Sequence, residues 1–398
     1  MNPLLLSGFG VSLNVDKARL IVKDGHLEST ETPTTYEIRP RHAPFDSVVI
    51  DSQTGQISIT AIKWLMRHNI PLFILDYNGT ILSSILPKEP VVGKLKKAQI
   101  EACQNAEKRF YIAKKILEAK LSRTKDIVEW LDIRYDINVK SKARLEKYIN
   151  HLEKSTNIRD LLFVEGKVAE SYWSIFQSVI PKKYEFSSRI SQKHQMNSTD
   201  PVNTLLNYGY AFLESRCRAS INSVGLEPSI GFLHETAQPK HPLVYDLQEP
   251  FRWMIDKTVI SCIEKDILEK NDFFFTDNYV LRLKPKAIKK LLEELRLSFN
   301  SNVHYKNRNY SWDMIIRLKT RELAHYILGK AKVDFNEPFP KILRSDSLEM
   351  RKRILELTQN QAKELGIGRS TLHFLRKRAG GRRSFEVYKK IHMKIKNS

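Results

Sequence analysis

The stretch PLFILDYNGTILSSILPKEP, residues 71–90, contains the strongest hairpin signal in the chain and ends at its clearest boundary. Asn78 and Gly79 separate two apolar, partly β-branched runs, and this dipeptide favours the positive-φ turn that joins antiparallel strands. Pro87 and Pro90 then interrupt the pattern, because proline has no backbone N–H to donate to a ladder or a helix. The stretch therefore predicts a hairpin that closes a β-rich region.

The segments upstream of this hairpin also have the pattern of strands. Short runs that are often β-branched and are bounded by Gly, Pro or Asp lie at Val11–Val15, Tyr36–Ile38, Ser47–Asp51 and Pro71–Asp76. One helix, predicted over about Thr60–His68 with Thr60 as its cap, interrupts them. We predict an N-terminal, mainly β domain over residues 1–90.

Downstream of Gly93 the apolar residues recur every three or four positions, which is the period of an amphipathic helix. Helices are predicted over 94–121, 140–154, 158–179 and 202–223, with irregular segments at 181–201 and 225–241. The segment 271–310 has no evident chemical role and is interpreted as an insertion with its own hairpin. The prediction is an α+β protein with a large α-helical catalytic domain over residues 91–335.

Residues 341–398 contain 16 Lys and Arg against 5 Asp and Glu, a net charge of +11 out of +21 for the whole chain. Within them, Ala362, Gly366, Leu372 and Leu375 have the spacing of a helix-turn-helix, in which the small residue and the glycine allow two helices to approach. We predict a basic helix-turn-helix DNA-binding domain here. An ordinary helical hairpin or a solvated basic tail remains the alternative.

The helix-turn-helix register predicts how this domain would contact DNA. The early recognition-helix residues, placed to read base edges, are Arg369, Ser370, Thr371 and His373. The residues expected to bind phosphates are Arg376, Lys377, Arg378, Arg382 and Arg383.

Composition excludes several classes of protein. With 398 residues, 41% hydrophobic and 28% charged, the chain has the balance of a globular protein, and no apolar run approaches the roughly 18–20 residues that span a bilayer. The three cysteines are scattered, which argues against a disulfide framework and favours a reducing cytoplasm. No Walker phosphate loop is present, so no nucleotide cofactor is expected.

Four polar residues lie among apolar neighbours where a charge is costly unless it is paired or binds a metal. They are Glu165, His234, Asp246 and Glu249. Each has an ordinary alternative: Glu165 as a salt bridge with a lysine, His234 as a satisfied loop histidine, and the Asp-x-x-Glu pair as a helix cap. Two carboxylates and an imidazole suit a divalent cation, but no local spacing brings these segments together.

The segments around these residues resemble the catalytic motifs of the CRISPR adaptation integrases, which insert spacer DNA into CRISPR arrays. The matching motifs are Glu-Gly-x-x-Ala-x-x-Tyr from Glu165, Gly-Phe-x-His ending at His234, and Tyr-Asp-x-x-Glu-x-x-Arg from Tyr245; the segment Asp200–Tyr210 matches as well. The resemblance implies Mn²⁺ or Mg²⁺ held by Glu165, His234 and Glu249, with Asp246 in a supporting catalytic role.

The helix-turn-helix is a departure from ordinary adaptation integrases and resembles the casposases, the related integrases of self-synthesising transposons. That resemblance implies metal-dependent joining of a donor 3′-hydroxyl end into target duplex DNA by transesterification, with endonuclease-type chemistry. The implied partners are double-stranded DNA and further copies of the chain, as a dimer and as a tetramer on DNA, with the β domain as candidate dimer interface. We expect a cytoplasmic protein, associated with the nucleoid when bound to DNA, and no membrane partner.

Two alternatives compete with this interpretation. One is a CRISPR adaptation integrase for spacer acquisition, which would need a small partner subunit. The other is a non-catalytic DNA-binding protein, in which the acidic residues are caps and salt bridges.

Overall fold

A computed structural model describes most of the chain. The residues described are 3–26, 33–52, 54–76, 79–90, 92–135, 137–189, 198–234, 241–276, 279–333, 335, 358–364, 368–370 and 372–373. They form a mixed α+β protein in which a strand-rich N-terminal region precedes a helical region, as predicted.

The chain divides into two compact units. The first comprises Met1–Leu117, Ile180–Val303 and Arg308–Phe335, and the second comprises Glu118–Val179, His304–Asn307 and Asn336–Ser398.

The strands are β1 (Pro3–Ser7), β2 (Val11–Asp16), β3 (Arg19–Lys23), β4 (Thr35–Ile38), β5 (Ser47–Asp51), β6 (Gly55–Ile57), β7 (Leu72–Leu75), β8 (Ile81–Ile85), β9 (Phe273–Phe275), β10 (Leu281–Leu283), β11 (Asn302–Tyr305) and β12 (Arg308–Ser311). One four-stranded sheet has the order β1-β5-β7-β8, and a second has the order β4-β3-β2-β6. All five residues of β5 are buried, because β5 pairs in parallel with both β1 and β7.

The predicted hairpin is confirmed. Strand β7 pairs antiparallel with β8, the Asp76 N–H donates to the Thr80 carbonyl at 2.7 Å, and Gly79 has a φ of +79°. Asn78 lies outside the described residues. The segment 271–310 also contains its predicted hairpin, formed by β9 and β10.

The helices are α1 (Ile59–Arg67), α2 (Gly93–Gln104), α3 (Ala106–Tyr135), α4 (Val139–Asn150), α5 (Ile158–Val179), α6 (Pro201–Val224), α7 (Pro242–Gln248), α8 (Arg252–Glu264), α9 (Pro285–Asn300), α10 (Trp312–Ile327) and α11 (Gln359–Glu364). Short 3-10 helices lie at His151–Lys154, Lys182–Tyr184, Glu249–Phe251 and Lys270–Asp272. None of the helices in the described ranges is long and apolar enough to cross a lipid bilayer.

Two helix boundaries differ from the prediction because side chains cap them elsewhere. The cap of α1 is Ser58 rather than Thr60, since the Ser58 hydroxyl accepts the Ala61 N–H at 3.1 Å. The predicted helix over 94–121 is broken at Asn105, whose side chain accepts the Lys108 N–H at 2.9 Å and so starts α3. The side chain of an Asn at such a position accepts a backbone N–H of the following turn. This hydrogen bond ends the preceding helix and caps the next one.

Buried polar contacts join the strand-rich part of the first unit to its helices. Arg282 on β10 donates to Asp51 at the end of β5, and Tyr208 on α6 donates to the same carboxylate at 3.3 Å. Arg216 on α6 pairs with Asp46 at 3.1 Å and with Asp313 at 2.9 Å. Since isolated charges are not tolerated in a core, these pairs fix which helix lies against the sheet.

Helix α6 also fixes the position of α8, which follows Asp246 and Glu249 in the chain. A Cβ on Gly209 would lie 2.4 Å from Ile255 Cγ2, so the two helices approach more closely than any side chain at this position permits. Helix α8 is buried along most of its length, and Ile255, Val259 and Ile260 are at most 1% exposed. The segment that enters α8 is thereby held against the core.

In the C-terminal region the described residues include helix α11 and a second helical stretch at residues 369–370 and 372–373. Thr358 and Gln361 form a reciprocal cap at the start of α11, in which each residue's side chain accepts the other's backbone N–H. Ala362 and Leu372 are both 2% exposed. Gly366 and Leu375 lie outside the described residues, so the helix-turn-helix stays a prediction.

Candidate functional site

The loop that carries His234 is held by polar side chains from two helices of the first unit. Gln99 on α2, fully buried, donates to the carbonyls of Glu227 at 3.0 Å and Ile230 at 2.9 Å, and accepts the Glu227 N–H at 2.8 Å. The Arg109 Nε on α3 donates to the Phe232 carbonyl at 3.0 Å. Buried backbone groups need such partners, so an irregular loop can be rigid here.

Asp246 on α7 organises the end of this loop. It has no exposed surface, and its carboxylate accepts the backbone N–H groups of Phe232 at 2.6 Å, Leu233 at 3.1 Å and His234 at 3.1 Å. The His234 ring Nδ1 lies 2.7 Å from Asp246 Oδ1. Because an ionised carboxylate can only accept, Nδ1 is the donor in this contact, and Nε2 is the acceptor nitrogen of the ring in its neutral form.

A glycine makes this arrangement sterically possible. A Cβ on Gly231 would lie 2.7 Å from Pro242 Cβ and 3.0 Å from Asp246 Oδ2. The loop can therefore reach the carboxylate only without a side chain at this position. Gly231 is the first residue of the Gly-Phe-x-His motif.

Glu249 lies in the 3-10 turn between α7 and α8 and is 3% exposed. The Arg252 guanidinium Nη1 is 3.4 Å from Glu249 Oε1. Burial by itself would lower the pKa of Arg252, because it disfavours the charged form. The negative charge of Glu249 and, after it, the effects of Tyr210 and Asp256 outweigh burial and raise the pKa of Arg252 above its usual range. The ring of Tyr210 lies 4.3 Å from the same guanidinium and Tyr210 donates to Asp256 at 2.5 Å. Arg252 is thus a fixed cation beside the Glu249 carboxylate.

The alternative of Asp246 and Glu249 as a helix cap is wrong. Helix α8 begins at Arg252 without a side-chain cap, and Asp246 accepts from the loop at 232–234 instead. The sequence pattern was misleading because helix α7 begins at Pro242, four residues before Asp246. Asp246 therefore lies inside a helix and not at the start of one.

Glu165 belongs to the second unit. It lies on α5 beside the buried residues Leu161, Val164 and Val168, and its side chain is 15% exposed. Lys120 on α3 donates to Glu165 Oε1 at 2.5 Å. The alternative of a salt bridge with a lysine is therefore present in the structure. Carboxylate oxygens are also the ligands that hard divalent cations prefer.

Of the predicted DNA-binding residues, Arg369, Ser370 and His373 are described and all three are exposed. The Arg369 guanidinium donates to the Gln359 side-chain oxygen at 3.1 and 2.7 Å, which ties it to the start of α11. Thr371, Arg376, Lys377, Arg378, Arg382 and Arg383 lie outside the described residues.

Gln99, Arg109 and Gly231 shape the loop that carries His234 but were not predicted. Gln99 and Arg109 act through backbone carbonyls at least 123 residues away, and no local pattern marks such contacts. Gly231 could have been noticed, because it opens the motif that ends at His234.

Comparison with known proteins identifies a family. The family model described as CRISPR associated protein Cas1 matches residues 4–296. A CRISPR-associated endonuclease Cas1 of Archaeoglobus fulgidus is 29% identical over 349 residues, which cover 83% of this chain and 98% of that protein. A CRISPR-associated protein Cas1 of Methanobrevibacter ruminantium is 24% identical over 323 residues, covering 79% and 96%.

Two solved structures are similar to the chain. A casposase bound to integration product has a TM-score of 0.81 and 42% sequence identity, and the alignment covers 89% of this chain and 99% of that one. A Cas1 protein from Thermotoga maritima has a TM-score of 0.69 at 20% identity, covering 84% and 99%, and this likeness concerns the fold alone.

Proposed function

Because the chain belongs to the Cas1 family and is an enzyme of the nuclease and integrase class, we propose that it is a divalent-metal-dependent DNA integrase of the casposase type. In the proposed reaction a donor 3′-hydroxyl attacks a phosphodiester of the target duplex. A new P–O bond forms to the donor oxygen, and the bond to the target 3′-oxygen breaks. The attacking hydroxyl loses its proton, and the departing oxygen gains one.

The observation that carries this proposal is the contact between Asp246 and His234. A histidine whose Nδ1 donates to a buried carboxylate presents Nε2 in a fixed direction, which is the usual arrangement of a metal-binding histidine. The same carboxylate holds the loop backbone, so the ring cannot turn away without breaking buried hydrogen bonds. An ordinary loop histidine does not need this support.

We propose that Glu165, His234 and Glu249 hold Mn²⁺ or Mg²⁺. Carboxylate oxygens suit both ions, and an imidazole favours manganese among them. When bound, such an ion neutralises the phosphate and lowers the pKa of the attacking oxygen. Asp246 fixes the ring of His234, and Arg252 is the cationic partner of the buried Glu249 carboxylate.

Duplex DNA is the proposed partner, both as donor end and as target. The casposase that is 42% identical to this chain is bound to integration product, and the chain's net charge of +21 suits a polyanion. Paired insertion needs two active sites, so we propose a homodimer that forms a tetramer on DNA, with residues 1–90 as the interface. Residues 91–335 would perform the chemistry and 341–398 would select the site.

The test is a strand-transfer assay with a 3′-hydroxyl oligonucleotide and supercoiled DNA, with the purified protein alone. Joined product is expected with Mn²⁺ or Mg²⁺ and not with EDTA. Glu165→Gln, His234→Ala and Glu249→Gln should each lower the rate at least about a hundredfold, or about 2.7 kcal/mol. Glu170→Gln is the control, since Glu170 is exposed on the same helix as Glu165. DNA binding without joining under either ion would exclude the integrase.

The second candidate is a CRISPR adaptation integrase, which is favoured by the names of the relatives from Archaeoglobus fulgidus and Methanobrevibacter ruminantium. The 42% identity with the casposase supports the transposon enzyme instead. Joining that requires an added partner subunit would favour the adaptation enzyme.

A further inference from the structure

The salt bridge between Lys120 and Glu165 joins α3 to α5 within the second unit and is largely out of water. The Lys120 ammonium lies 2.5 Å from Glu165 Oε1, and the two side chains are 18% and 15% exposed. The other carboxylate oxygen, Oε2, makes no hydrogen bond with any residue that the structure describes. Because water and salt screen a partly buried pair only weakly, the lysine offsets much of the negative charge that Glu165 could offer to another cation.

The partners of the other two proposed metal ligands have a different chemistry. Asp246, which holds His234, is an anion, so its charge favours a cation nearby. Arg252 Nη1 lies 3.4 Å from Glu249 Oε1, and its charge is delocalised over the guanidinium group. Of the three contacts, that of Lys120 is the one in which a compact ammonium lies directly against a carboxylate oxygen of a proposed ligand.

This contact has a consequence for the affinity of the proposed metal site. The affinity of a protein for a hard divalent cation depends on how many negative charges its ligands carry. The proposed ligands are an imidazole and two carboxylates, so Lys120 offsets one of only two negative charges. The ammonium also repels a divalent cation directly, because both are positive. Both effects weaken metal binding to the DNA-free protein.

We propose that Lys120 is a positioning residue that acts through Glu165, and that it competes with the divalent metal for this carboxylate until a DNA phosphate is present. The phosphate supplies the negative charge that Lys120 offsets, and protein carboxylates commonly share magnesium with substrate phosphates. The ammonium can move away, because it lies at the end of a flexible four-carbon stem. The inference rests on the proposed function, in which Glu165 is a metal ligand.

The competition couples metal binding to DNA binding. DNA should raise the affinity of the protein for Mn²⁺, and Mn²⁺ should raise the affinity for DNA by the same factor, because linkage between two ligands is reciprocal. Removing the charge of Lys120 should tighten Mn²⁺ binding to the DNA-free protein. It should also make this factor smaller, since the phosphate then has less positive charge to compensate.

The experiment measures the Kd for Mn²⁺ from the electron paramagnetic resonance signal of the free ion. It is done without DNA and with a short duplex, whose own Mn²⁺ binding is subtracted. Lys120→Gln keeps a hydrogen-bond donor for Glu165 but removes the charge, whereas Lys120→Arg keeps the charge. Without DNA, Lys120→Gln should bind Mn²⁺ about tenfold more tightly than the wild type, a usual size for coupling between two sites. Lys120→Arg should resemble the wild type.

Lys142→Gln is the matched control. Lys142 pairs with the Asp132 carboxylate at 2.7 Å in the same unit, and neither residue belongs to the proposed ligand set. This variant should have the Mn²⁺ affinity of the wild type with and without DNA. The melting temperature of each variant shows whether it is folded under the conditions of the titration.

Three results would overturn the role of Lys120. They are a Mn²⁺ affinity in Lys120→Gln no higher than in the wild type, equal gains in Lys120→Gln and Lys120→Arg, and a wild type whose Mn²⁺ affinity is the same with and without DNA. The last needs no variant, so it decides even where Lys120→Gln fails to fold. Unchanged Mn²⁺ affinity in Glu165→Gln would instead remove Glu165 from the ligand set and contradict the proposed metal site itself.

Discussion

Asp246 contacts His234 twice, through the backbone N–H at 3.1 Å and through the ring Nδ1 at 2.7 Å. One buried carboxylate therefore sets both the path of the loop and the orientation of the imidazole. The two functions cannot be separated by substitution, because any change to the carboxylate alters both.

Asp246→Asn is expected to weaken metal binding. The amide keeps the shape but replaces one accepting oxygen with an N–H₂ group, which faces donors that the carboxylate accepted from. Supporting groups of this kind are worth about 10–100-fold in metal affinity or activity. Titration calorimetry with Mn²⁺ measures the loss. Asp266→Asn, at a side chain 69% exposed, is the control. Equal Mn²⁺ affinity in Asp246→Asn and the wild type would remove Asp246 from the site.

Gly231→Ala is expected to destabilise the protein by about 1–3 kcal/mol, because its Cβ would overlap Pro242 and the Asp246 carboxylate. Chemical denaturation measures the change. Gly93→Ala serves as control, since a Cβ on Gly93 meets no described atom within 4 Å. A Gly231→Ala protein as stable as the control would mean that the loop can relax without cost.

Arg282→Met is expected to cost about 3–5 kcal/mol of stability, since it leaves the Asp51 carboxylate buried without its cation. Burial already raises the pKa of Asp51 in spite of Arg282, so this carboxylate depends on its partner. The double variant Asp51→Asn/Arg282→Met should recover part of the loss. Additive losses in the double-mutant cycle would show that the pair is not coupled.

The stability of the protein is expected to fall as the pH drops below about 6.5, in part through His241. Burial, followed by Arg218, lowers the pKa of His241 from its ordinary value of 6.5, while Glu227 opposes the change. A histidine whose pKa is lowered on folding binds fewer protons in the native state. Its contribution to the free energy of unfolding is therefore fully present above about pH 6.5 and is lost as the pH falls below that value.

The measurement is the melting temperature against pH in EDTA. His241→Gln should reduce the acid-side loss, and His325→Gln, at an exposed position on α10, is the matched control. An identical pH profile for His241→Gln and the wild type would contradict the assignment.

A chain that ends near Arg344 is expected to keep a folded active site and some untargeted joining but to lose affinity and site preference. The removed residues carry about half of the net charge, so the dependence of log affinity on log salt should become shallower, by about 0.9 for each DNA phosphate that the shorter chain no longer neutralises. Sequencing of insertion junctions from both proteins tests the site preference. Identical distributions would reduce the C-terminal region to a non-specific anchor.

The local elements were predictable because their signals are local. Asn78-Gly79 marked the β7–β8 hairpin, and the apolar stripe from Leu161 to Phe176 marked α5. The break at Asn105 was missed because the apolar period continues across it, whereas the cap depends on one side chain.

The candidate site was predictable only as a set of residues. Resemblance to known motifs selected His234, Asp246 and Glu249, but their spacing equally allowed a helix cap. The role of Asp246 depends on an irregular loop that turns three N–H groups toward it, and no periodic pattern describes such a loop. Contacts such as Gln99 with Ile230 join residues more than a hundred positions apart and leave no local signal.

The buried pair of Asp51 and Arg282 has a consequence for synthesis on the ribosome. Asp51 ends the central strand of the N-terminal sheet, and its cation is made 231 residues later. Arg216, the partner of Asp46, also follows it by 170 residues. The N-terminal part of a chain is synthesised first. The arginines that pair with Asp46 and Asp51 are therefore added to the chain only when residues 216 and 282 are translated, long after the strands of the sheet. The N-terminal sheet should therefore gain its full stability late in translation, and premature termination before codon 282 should yield fragments that proteases remove.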